Sequence, residues 1–179
     1  YNIKIFTFAD SAPIGTPKQI ELFCNELIRK NLKINWGGSF RVEKFDENLI
    51  KLMVKAGCNW IAFGTESASQ KIIDDMGKHY DIKEIKKIIH IIKKYNIPVL
   101  THLLVGYPTE RWSDIRENIK FIIRNKRYLH GIHINKLTIH NQSSLYYEAE
   151  RFGIKHKNSF LWYSKNSNYF SRLFKMYIL

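Results

Sequence analysis

A carboxylate stands where a predicted strand meets its loop. The run Phe63-Gly64-Thr65-Glu66-Ser67 ends an apolar, strand-like segment, and Met76-Gly77-Lys78 follows soon after. Parallel βα architectures collect their ligands at the C-terminal ends of strands, where loop residues are free to serve chemistry. Glu66 is therefore a candidate binding or catalytic residue. The alternative is structural: the strand ends here, and Ser67 or Ser69 caps the next helix.

The turn after the first predicted strand argues against two phosphate-binding classes. It reads Asp10-Ser11-Ala12-Pro13, in place of the Gly-x-Gly-x-x-Gly cradle of dinucleotide-binding proteins. The chain also has no Gly-x-x-x-x-Gly-Lys run. Dinucleotide and P-loop interpretations therefore lose their main support.

Histidines and cysteines do not form a recognisable metal pattern. His102, His133 and His140 fall on predicted strand segments, but no carboxylate spacing accompanies them, so we interpret them as hydrogen-bonded or solvent-facing side chains. Cys24 and Cys58 lie inside apolar patterns, which favours buried thiols over a disulfide or a metal pair. We predict no metal ligands in this chain.

Length, composition and charge are those of one folded domain. The 179 residues are 45% hydrophobic and 14% aromatic, enough for a real core. The formal charge of +13 permits an anionic partner, but the lysines are spread along the chain, so a solvated basic surface is favoured over a nucleic-acid footprint. No apolar run approaches the roughly 20 residues of a membrane span. Because the first residues do not resemble a signal peptide, we expect a cytoplasmic location.

The apolar pattern alternates between strand and helix periods, which predicts serial βα units around a parallel sheet. Strands are predicted at 3–8, 33–36, 59–63, 99–105 and 132–139. Thr16, Asp46, Asp81 and Ser113 are the expected helix N-caps. A short helical piece is expected at 145–152, and the tail from residue 156 has no clear pattern. Five such units suit either an open doubly wound sheet or an incomplete (βα) barrel, and periodicity alone does not choose between them.

Several separated motifs match one family in order and spacing. They are Phe6-Thr7-Phe8-Ala9-Asp10, Asn35-Trp36 with Arg41, the run 49–58, Phe63-Gly64-Thr65-Glu66-Ser67, Met76-Gly77-Lys78, Gly106-Tyr107-Pro108-Thr109-Glu110, and Leu145-Tyr146 with Ala149 and Gly153. With them the chain resembles the core domain of radical SAM enzymes, especially the branch that often carries an upstream cobalamin-binding domain. Departures from the family pattern are Thr109 and Arg111 in the fourth-strand turn, and Gln142-Ser143-Ser144 before Leu145.

The resemblance implies a fold and a cluster. The fold is α/β, an incomplete (βα) barrel with five parallel strands of a TIM-like six-unit core, over residues 1–153, with 154–179 as a C-terminal extension of uncertain structure. Family members hold a [4Fe-4S] cluster with three cysteines after the first strand, because iron clusters prefer thiolate donors. This chain has no Cys-x-x-x-Cys-x-x-Cys run. We therefore expect it to be a fragment that lacks the first βα unit.

The resemblance also implies site residues for S-adenosylmethionine. Asp10 falls where the family binds the amino group, Arg41 where a guanidinium can pair with the carboxylate, and Glu66 with Ser67 where the ribose is held. Gly106 and Pro108 would let the backbone pass close to the adenine.

The implied function is that of a radical SAM enzyme. The parent protein would reductively cleave S-adenosylmethionine at the cluster to start radical chemistry on an unknown substrate, small molecule or macromolecule. An electron donor such as flavodoxin or ferredoxin would serve it, cobalamin is a further cofactor on an upstream domain if one is present, and the fragment itself would be inactive. The alternatives are another βα-barrel enzyme, such as a phosphate-sugar lyase or isomerase, and a non-catalytic basic binding module.

One prediction follows from the missing cysteines. We expect the reading frame upstream of Tyr1 to encode an apolar strand followed by three closely spaced cysteines. Sequencing the coding DNA in that direction checks this. A natural translation start at Tyr1 would count heavily against the radical SAM interpretation.

Overall fold

A computed structural model describes residues 5–8, 16–41, 45–156 and 158–179. Its elements in chain order are β1 (Ile5–Phe8), α1 (Pro17–Arg29), β2 (Asn35–Phe40), α2 (Glu47–Lys55), β3 (Cys58–Glu66), α3 (Gln70–Asp75), α4 (Ile82–Lys93), β4 (Val99–Val105), α5 (Trp112–Asn125), β5 (Gly131–Lys136), α6 (Ser144–Tyr147), β6 (Lys155–His156), β7 (Trp162–Tyr163) and α7 (Tyr169–Ile178).

The first five strands form one sheet in the sequential order β1-β2-β3-β4-β5. They run parallel and make an incomplete, TIM-like barrel, which confirms the predicted fold class. A doubly wound sheet reverses its strand order at a switch point, whereas this order has no reversal. The sequential order therefore resolves the choice that periodicity left open.

The chain divides into two compact units. The first contains residues 1–65, 80–102 and 125–133, and the second contains 66–79, 103–124 and 134–179. The predicted boundary between residues 153 and 154 stays a prediction.

Helix starts in the first unit follow the predicted caps. The Thr16 hydroxyl accepts a hydrogen bond from the Gln19 amide, and the Gln19 side-chain oxygen accepts one from the Thr16 amide, which makes a complete capping box. Asp46 accepts from the Leu49 amide at 2.8 Å, and Asp81 from the Lys83 amide at 2.7 Å. Each cap satisfies amides that the first helical turn leaves unpaired, so local sequence is enough to fix where these helices begin.

A series of aromatic side chains packs edge to face in the first unit's core. Phe23 contacts Trp36 edge to face with ring centroids 5.1 Å apart, and Phe45 contacts Phe63 in the same way at 5.4 Å. Trp36 is fully buried, and its indole N–H donates to the Ala56 carbonyl at 2.8 Å. Because edge-to-face pairs add about 0.5–1.5 kcal/mol beyond burial, these rings favour one specific packing of α1 and α2 on the sheet.

The second strand differs from its prediction. Residues 33–36 were expected, whereas β2 spans Asn35–Phe40 and includes Gly37 and Gly38. Two glycines indicate a turn when sequence alone is considered. Here a Cβ on Gly37 would overlap the indole ring of Trp60, so the glycine marks a close approach inside the sheet.

The second unit has its own small core. Ile139, Ile154 and Trp162 are buried together, with Leu137, Leu145, Ala149 and Phe152 packed against them. The antiparallel pair β6 and β7 and the helix α7 occupy the tail that carried no clear sequence pattern. Residues on both sides of position 153 thus share one hydrophobic cluster.

Smaller differences concern helix bounds. The expected helix at 145–152 is only the four-residue α6, capped by Ser143. The helix expected to start after Ser113 begins at Trp112. None of the helices in the described ranges is long and apolar enough to cross a membrane.

Gly57 offers a test of the first unit. Its φ is +90°, and a Cβ there would overlap the Ile34 carbonyl oxygen, whereas Gly153 has φ +59° and open space around it. We expect Gly153→Ala to cost about 1 kcal/mol of unfolding free energy, from backbone conformation alone. Gly57→Ala should cost about 1–3 kcal/mol more because of the overlap. Denaturant unfolding measures both, and equal losses would contradict the assigned contact.

Candidate functional site

A cleft of about 580 Å³ lies within the second unit. Its lining combines carboxylates, two cations and an apolar floor: Glu66, Asp74, Asp75, Met76, Gly77, Lys78, Leu104, Tyr107, Leu137, Ser144, Leu145, Glu148, Arg151 and Phe152. The volume is within the usual range for small-molecule and cofactor sites. The predicted residue Glu66 therefore lies in a cleft that can accept a ligand.

Glu66 is the last residue of β3 and has an unusual backbone. Its φ is +56°, a left-handed value that is uncommon for a residue other than glycine, asparagine or aspartate. Its carboxylate lies 3.7 Å from the Lys78 ammonium, with both side chains partly exposed. Such backbone outliers concentrate at functional sites. The partly exposed ion pair leaves the carboxylate open to a further partner.

Asp75 and Tyr107 form one edge of the cleft. The Tyr107 hydroxyl donates to the Asp75 carbonyl at 2.7 Å, and the Thr109 hydroxyl donates to the Asp75 carboxylate. Lys71 makes an ion pair with the same carboxylate at 2.7 Å. Burial raises the pKa of Asp75, but the hydrogen bonds from Lys71 and Thr109 outweigh burial and hold it below its usual value. Burial raises the pKa of Tyr107 to about 12, so its phenol stays protonated and donates.

The turn after β4 is held by hydrogen bonds within the turn and with the C-terminal segment. Gly106 has φ +90°, its amide donates to the Glu110 carboxylate at 2.8 Å, and its carbonyl accepts from Ser167 at 2.8 Å. The Pro108 carbonyl accepts from Ser164 at 3.2 Å. Neither Gly106 nor Pro108 lines the cleft, whereas Tyr107 between them does. The expected contact of the two residues with adenine stays a prediction.

Ser67 takes part in a buried polar network. It is fully buried, its hydroxyl donates to the Asn118 side-chain oxygen at 3.3 Å, and it accepts from the Ser69 amide at 3.1 Å. Ser69 in turn donates to Asp114 at 2.7 Å. Ser69 is the N-cap of α3 but makes no side-chain cap bond. These contacts attach the loop after β3 to α5, and a role of Ser67 in cofactor binding stays a prediction.

Two of the predicted site residues, Asp10 and Arg41, do not belong to the described part of the second unit. Asp10 lies outside the described residues. Arg41 directly follows β2, is exposed, and belongs to the first unit. Their convergence with Glu66 on one ligand is therefore still a prediction.

The cysteines of this chain do not suit an iron cluster. Cys24 and Cys58, the only two, are buried, and burial raises the pKa of both thiols to about 12. Cluster ligation needs thiolates, which these environments disfavour.

The histidines show one close pair. His102 and His133 stack with ring centroids 5.1 Å apart, whereas His140 lies beyond β5 and not on a strand. Across the residues that the structure describes, no group of three or more His, Cys, Asp or Glu side chains is placed to hold a metal ion.

Sequence reasoning missed several cleft residues. Tyr107, Glu148, Arg151 and Phe152 line the cleft, and Tyr107 contacts Phe152 edge to face at 5.7 Å. Tyr107 belongs to the motif Gly106-Tyr107-Pro108-Thr109-Glu110, but the motif implies no role for it. Phe152 and Arg151 fall between the motif residues Ala149 and Gly153, which was the available signal.

Comparison with known proteins identifies the family. The family model described as "Radical SAM superfamily" matches residues 3–122. An uncharacterised methyltransferase of Pyrococcus horikoshii is 30% identical over 121 residues, which is 68% of this chain and 26% of that protein. The anaerobic magnesium-protoporphyrin IX monomethyl ester cyclase of Rubrivivax gelatinosus is 32% identical over 122 residues, 67% of this chain and 22% of the relative. The chain thus spans about a quarter of the length of these relatives.

Solved structures share the fold. The radical S-adenosylmethionine methyltransferase TsrM from Kitasatospora setae, with cobalamin and a [4Fe-4S] cluster bound, has a TM-score of 0.66 at 14% identity over 76% of this chain and 28% of that one. Coproporphyrinogen III oxidase from Escherichia coli, described as a radical SAM enzyme, has a TM-score of 0.62 at 10% identity over 85% of this chain and 41% of that one. Both are similar to this chain in fold.

The lowered pKa of Asp75 has a consequence at acid pH. Because the folded-state pKa is below the ordinary value of 3.8, the carboxylate contributes stability above that pH and loses the contribution as pH falls toward the folded pKa. We expect Thr109→Val to raise the pKa of Asp75 and to reduce the loss of folding stability at acid pH. Thr109→Ser, which keeps the hydroxyl, is the control. Carboxyl-carbon NMR titration measures the pKa. An unchanged pKa in Thr109→Val would refute the assigned role of this hydrogen bond.

Proposed function

Because the chain belongs to the radical SAM superfamily, we propose that its second compact unit binds S-adenosylmethionine in the cleft, as part of an enzyme that cleaves this molecule to begin radical chemistry. The observation that carries the proposal is Glu66, a strand-end carboxylate with left-handed backbone that lines a cleft of suitable size.

Charge supports a cationic ligand. The whole chain has a formal charge of +13, yet the cleft has four carboxylates, on Glu66, Asp74, Asp75 and Glu148. Three cations oppose them: Lys78 and Arg151 in the lining, and Lys71, which pairs with Asp75. S-adenosylmethionine carries a sulfonium and an ammonium against one carboxylate, so it is a net cation. A locally acidic cleft in a basic protein therefore favours this ligand over phosphorylated sugars, which are anions.

The cleft lining has separate polar and apolar surfaces that match the polar and apolar parts of the ligand. Glu66 is suited to the two ribose hydroxyls, since the two oxygens of a carboxylate can each accept one hydrogen bond from neighbouring donors. Leu104, Leu137 and Leu145 offer an apolar surface for the base. Tyr107 adds an aromatic ring. Its raised pKa keeps the phenol protonated, so that it donates to the backbone carbonyl of Asp75. The protein's part is to bind, orient and shield the nucleoside.

The remaining cofactors are proposed for the whole protein. In this family a [4Fe-4S] cluster supplies the electron that cleaves the sulfonium bond, and the two buried cysteines of this chain do not fit its ligand set. A flavodoxin or ferredoxin is the proposed electron donor, and cobalamin a proposed further cofactor, supported by structural neighbours that bind it. Relatives named as methyltransferase and cyclase suggest no single substrate. A cytoplasmic location stays a prediction.

Binding of S-adenosylmethionine and of 5′-deoxyadenosine to the 179-residue chain tests the site, by isothermal titration calorimetry. We expect Glu66→Gln to weaken both, because hydrogen bonds to a charged group contribute about 1.5–3 kcal/mol, roughly 10- to 150-fold in affinity. Glu150→Gln makes the same change of charge at an exposed position that does not line the cleft, and should bind as the unmodified chain does. Equal affinities in all three proteins, or no binding by the folded unmodified chain, would refute the proposal.

The activity of the whole protein needs a separate assay. Anaerobic reconstitution of the natural full-length protein with iron and sulfide, followed by measurement of 5′-deoxyadenosine, should show cleavage that depends on a reductant. Release of no 5′-deoxyadenosine by a protein with its cluster spectroscopically intact would argue for a non-catalytic relative.

A further inference from the structure

The C-terminal helix α7 turns its cations inward and its aromatic side chains outward. Arg172 and Lys175 are 0% and 2% exposed, whereas Phe170 and Phe174 are 80% and 56% exposed. A helix packed only for hydrophobic burial would show the reverse pattern. The buried cations must therefore have specific partners in the second unit.

Lys175 reaches the turn after β4. Its ammonium lies 3.0 Å from the Glu110 carboxylate, and both side chains are almost completely buried. The same carboxylate oxygen accepts from the Gly106 amide at 2.8 Å. Glu110 thus joins both ends of the turn to α7 through one buried carboxylate.

Arg172 covers the start of the turn. Its guanidinium lies over the Trp162 ring at 4.0 Å and donates to the Phe160 carbonyl at 2.8 Å. Its aliphatic stem passes so close to Gly106 that a Cβ there would overlap it. Ser167 binds the carbonyl of the same glycine, so the segment 164–175 contacts the turn at both backbone and side-chain level.

The other side of the turn faces the cleft. Tyr107 lines the cleft and donates to the Asp75 carbonyl, and Thr109 donates to the carboxylate of that residue. The turn is thus fixed between α7 on one side and the acidic edge of the cleft on the other. A shift of the turn would move Tyr107 and Asp75 together.

We propose that Lys175 and Arg172 are positioning residues, which hold the turn 106–110 so that Tyr107 and Asp75 are preorganised for a nucleoside in the cleft. The ligand class rests on the proposed function, but the mechanical link does not. Neither cation lines the cleft, so both act through the turn. The C-terminal segment is then part of the binding apparatus and not an appendage.

Hydrogen exchange of the 179-residue chain, read by mass spectrometry, tests the link without any ligand. In Lys175→Met we expect faster exchange at 104–110 and at 70–78, and Lys175→Arg should restore much of the protection because it keeps the charge. Phe170→Ser changes the exposed face of the same helix and should leave both segments unchanged. A purely structural role would speed exchange only within 155–179, and that result would overturn the proposal.

A second pair of variants covers the case in which Lys175→Met does not fold. Lys175→Met combined with Glu110→Gln removes both buried charges, and Ser167→Ala removes only the bond to Gly106. Each should still accelerate exchange at 104–110. Protection equal to the unmodified chain in both would overturn the proposal.

Affinity for 5′-deoxyadenosine links the turn to binding. We expect the folded Lys175 and Ser167 variants to lose roughly 2- to 30-fold, the range for residues that modulate a site without touching its ligand. Unchanged affinity alongside accelerated exchange would overturn the role in binding. If the unmodified chain binds no nucleoside, the proposed function fails, while the exchange data still decide whether α7 holds the turn.

Discussion

The sequential order of the parallel strands determines which loops of this chain meet at one edge of the sheet. Each strand must return through a crossover helix before its neighbour begins, so successive strands end at the same edge of the sheet. Arg41 follows β2, Glu66 ends β3 and Gly106 follows β4. The sheet is held by backbone hydrogen bonds along the strands and by helices such as α4, with its five buried isoleucines. The strand ends are therefore free to carry chemistry.

Two ion pairs of the second unit have opposite characters. Glu110 and Lys175 are almost completely buried, and burial raises the pKa of Glu110 against the opposing effects of Lys175 and the Gly106 amide. Breaking such a pair from one side leaves an uncompensated buried charge, which costs about 3–5 kcal/mol. Glu66 and Lys78 are 3.7 Å apart and partly exposed, where an ion pair contributes only about 0–1 kcal/mol. The first pair therefore fixes the turn, whereas the second can exchange its partner for a ligand at little cost.

Local signals explain how much of the fold was predictable. The starts of α1, α2 and α4 follow from the caps at Thr16, Asp46 and Asp81, and β4 follows from the largely apolar run Val99–Val105. Each of these signals depends on residues close together in the chain. The bounds of the second strand were wrong because Gly37 is required by its close contact with the Trp60 ring, more than twenty positions away. Helix α7 escaped prediction for the same reason. Its inward Arg172 and Lys175 make sense only beside Trp162 and Glu110.

The candidate site likewise contains residues that local sequence can identify and residues that only long-range packing places. Glu66 could be selected from its place at a strand end, and the structure puts it in the cleft. Tyr107 and Arg151 could not be assigned a role, since their positions follow from long-range packing.

The charge of the whole chain and the charge of the cleft act over different distances. At physiological ionic strength the Debye length is about 8 Å, so most lysines on the surface are screened from a ligand inside a cleft. The carboxylates that line the cleft lie within contact range of such a ligand, in a medium less polar than water, where each charge acts more strongly. The formal charge of +13 therefore governs what approaches the surface, whereas Glu66, Asp74, Asp75 and Glu148 govern what is retained in the cleft. A basic protein can thus select a cationic nucleoside, provided that acidic residues are gathered in the cleft.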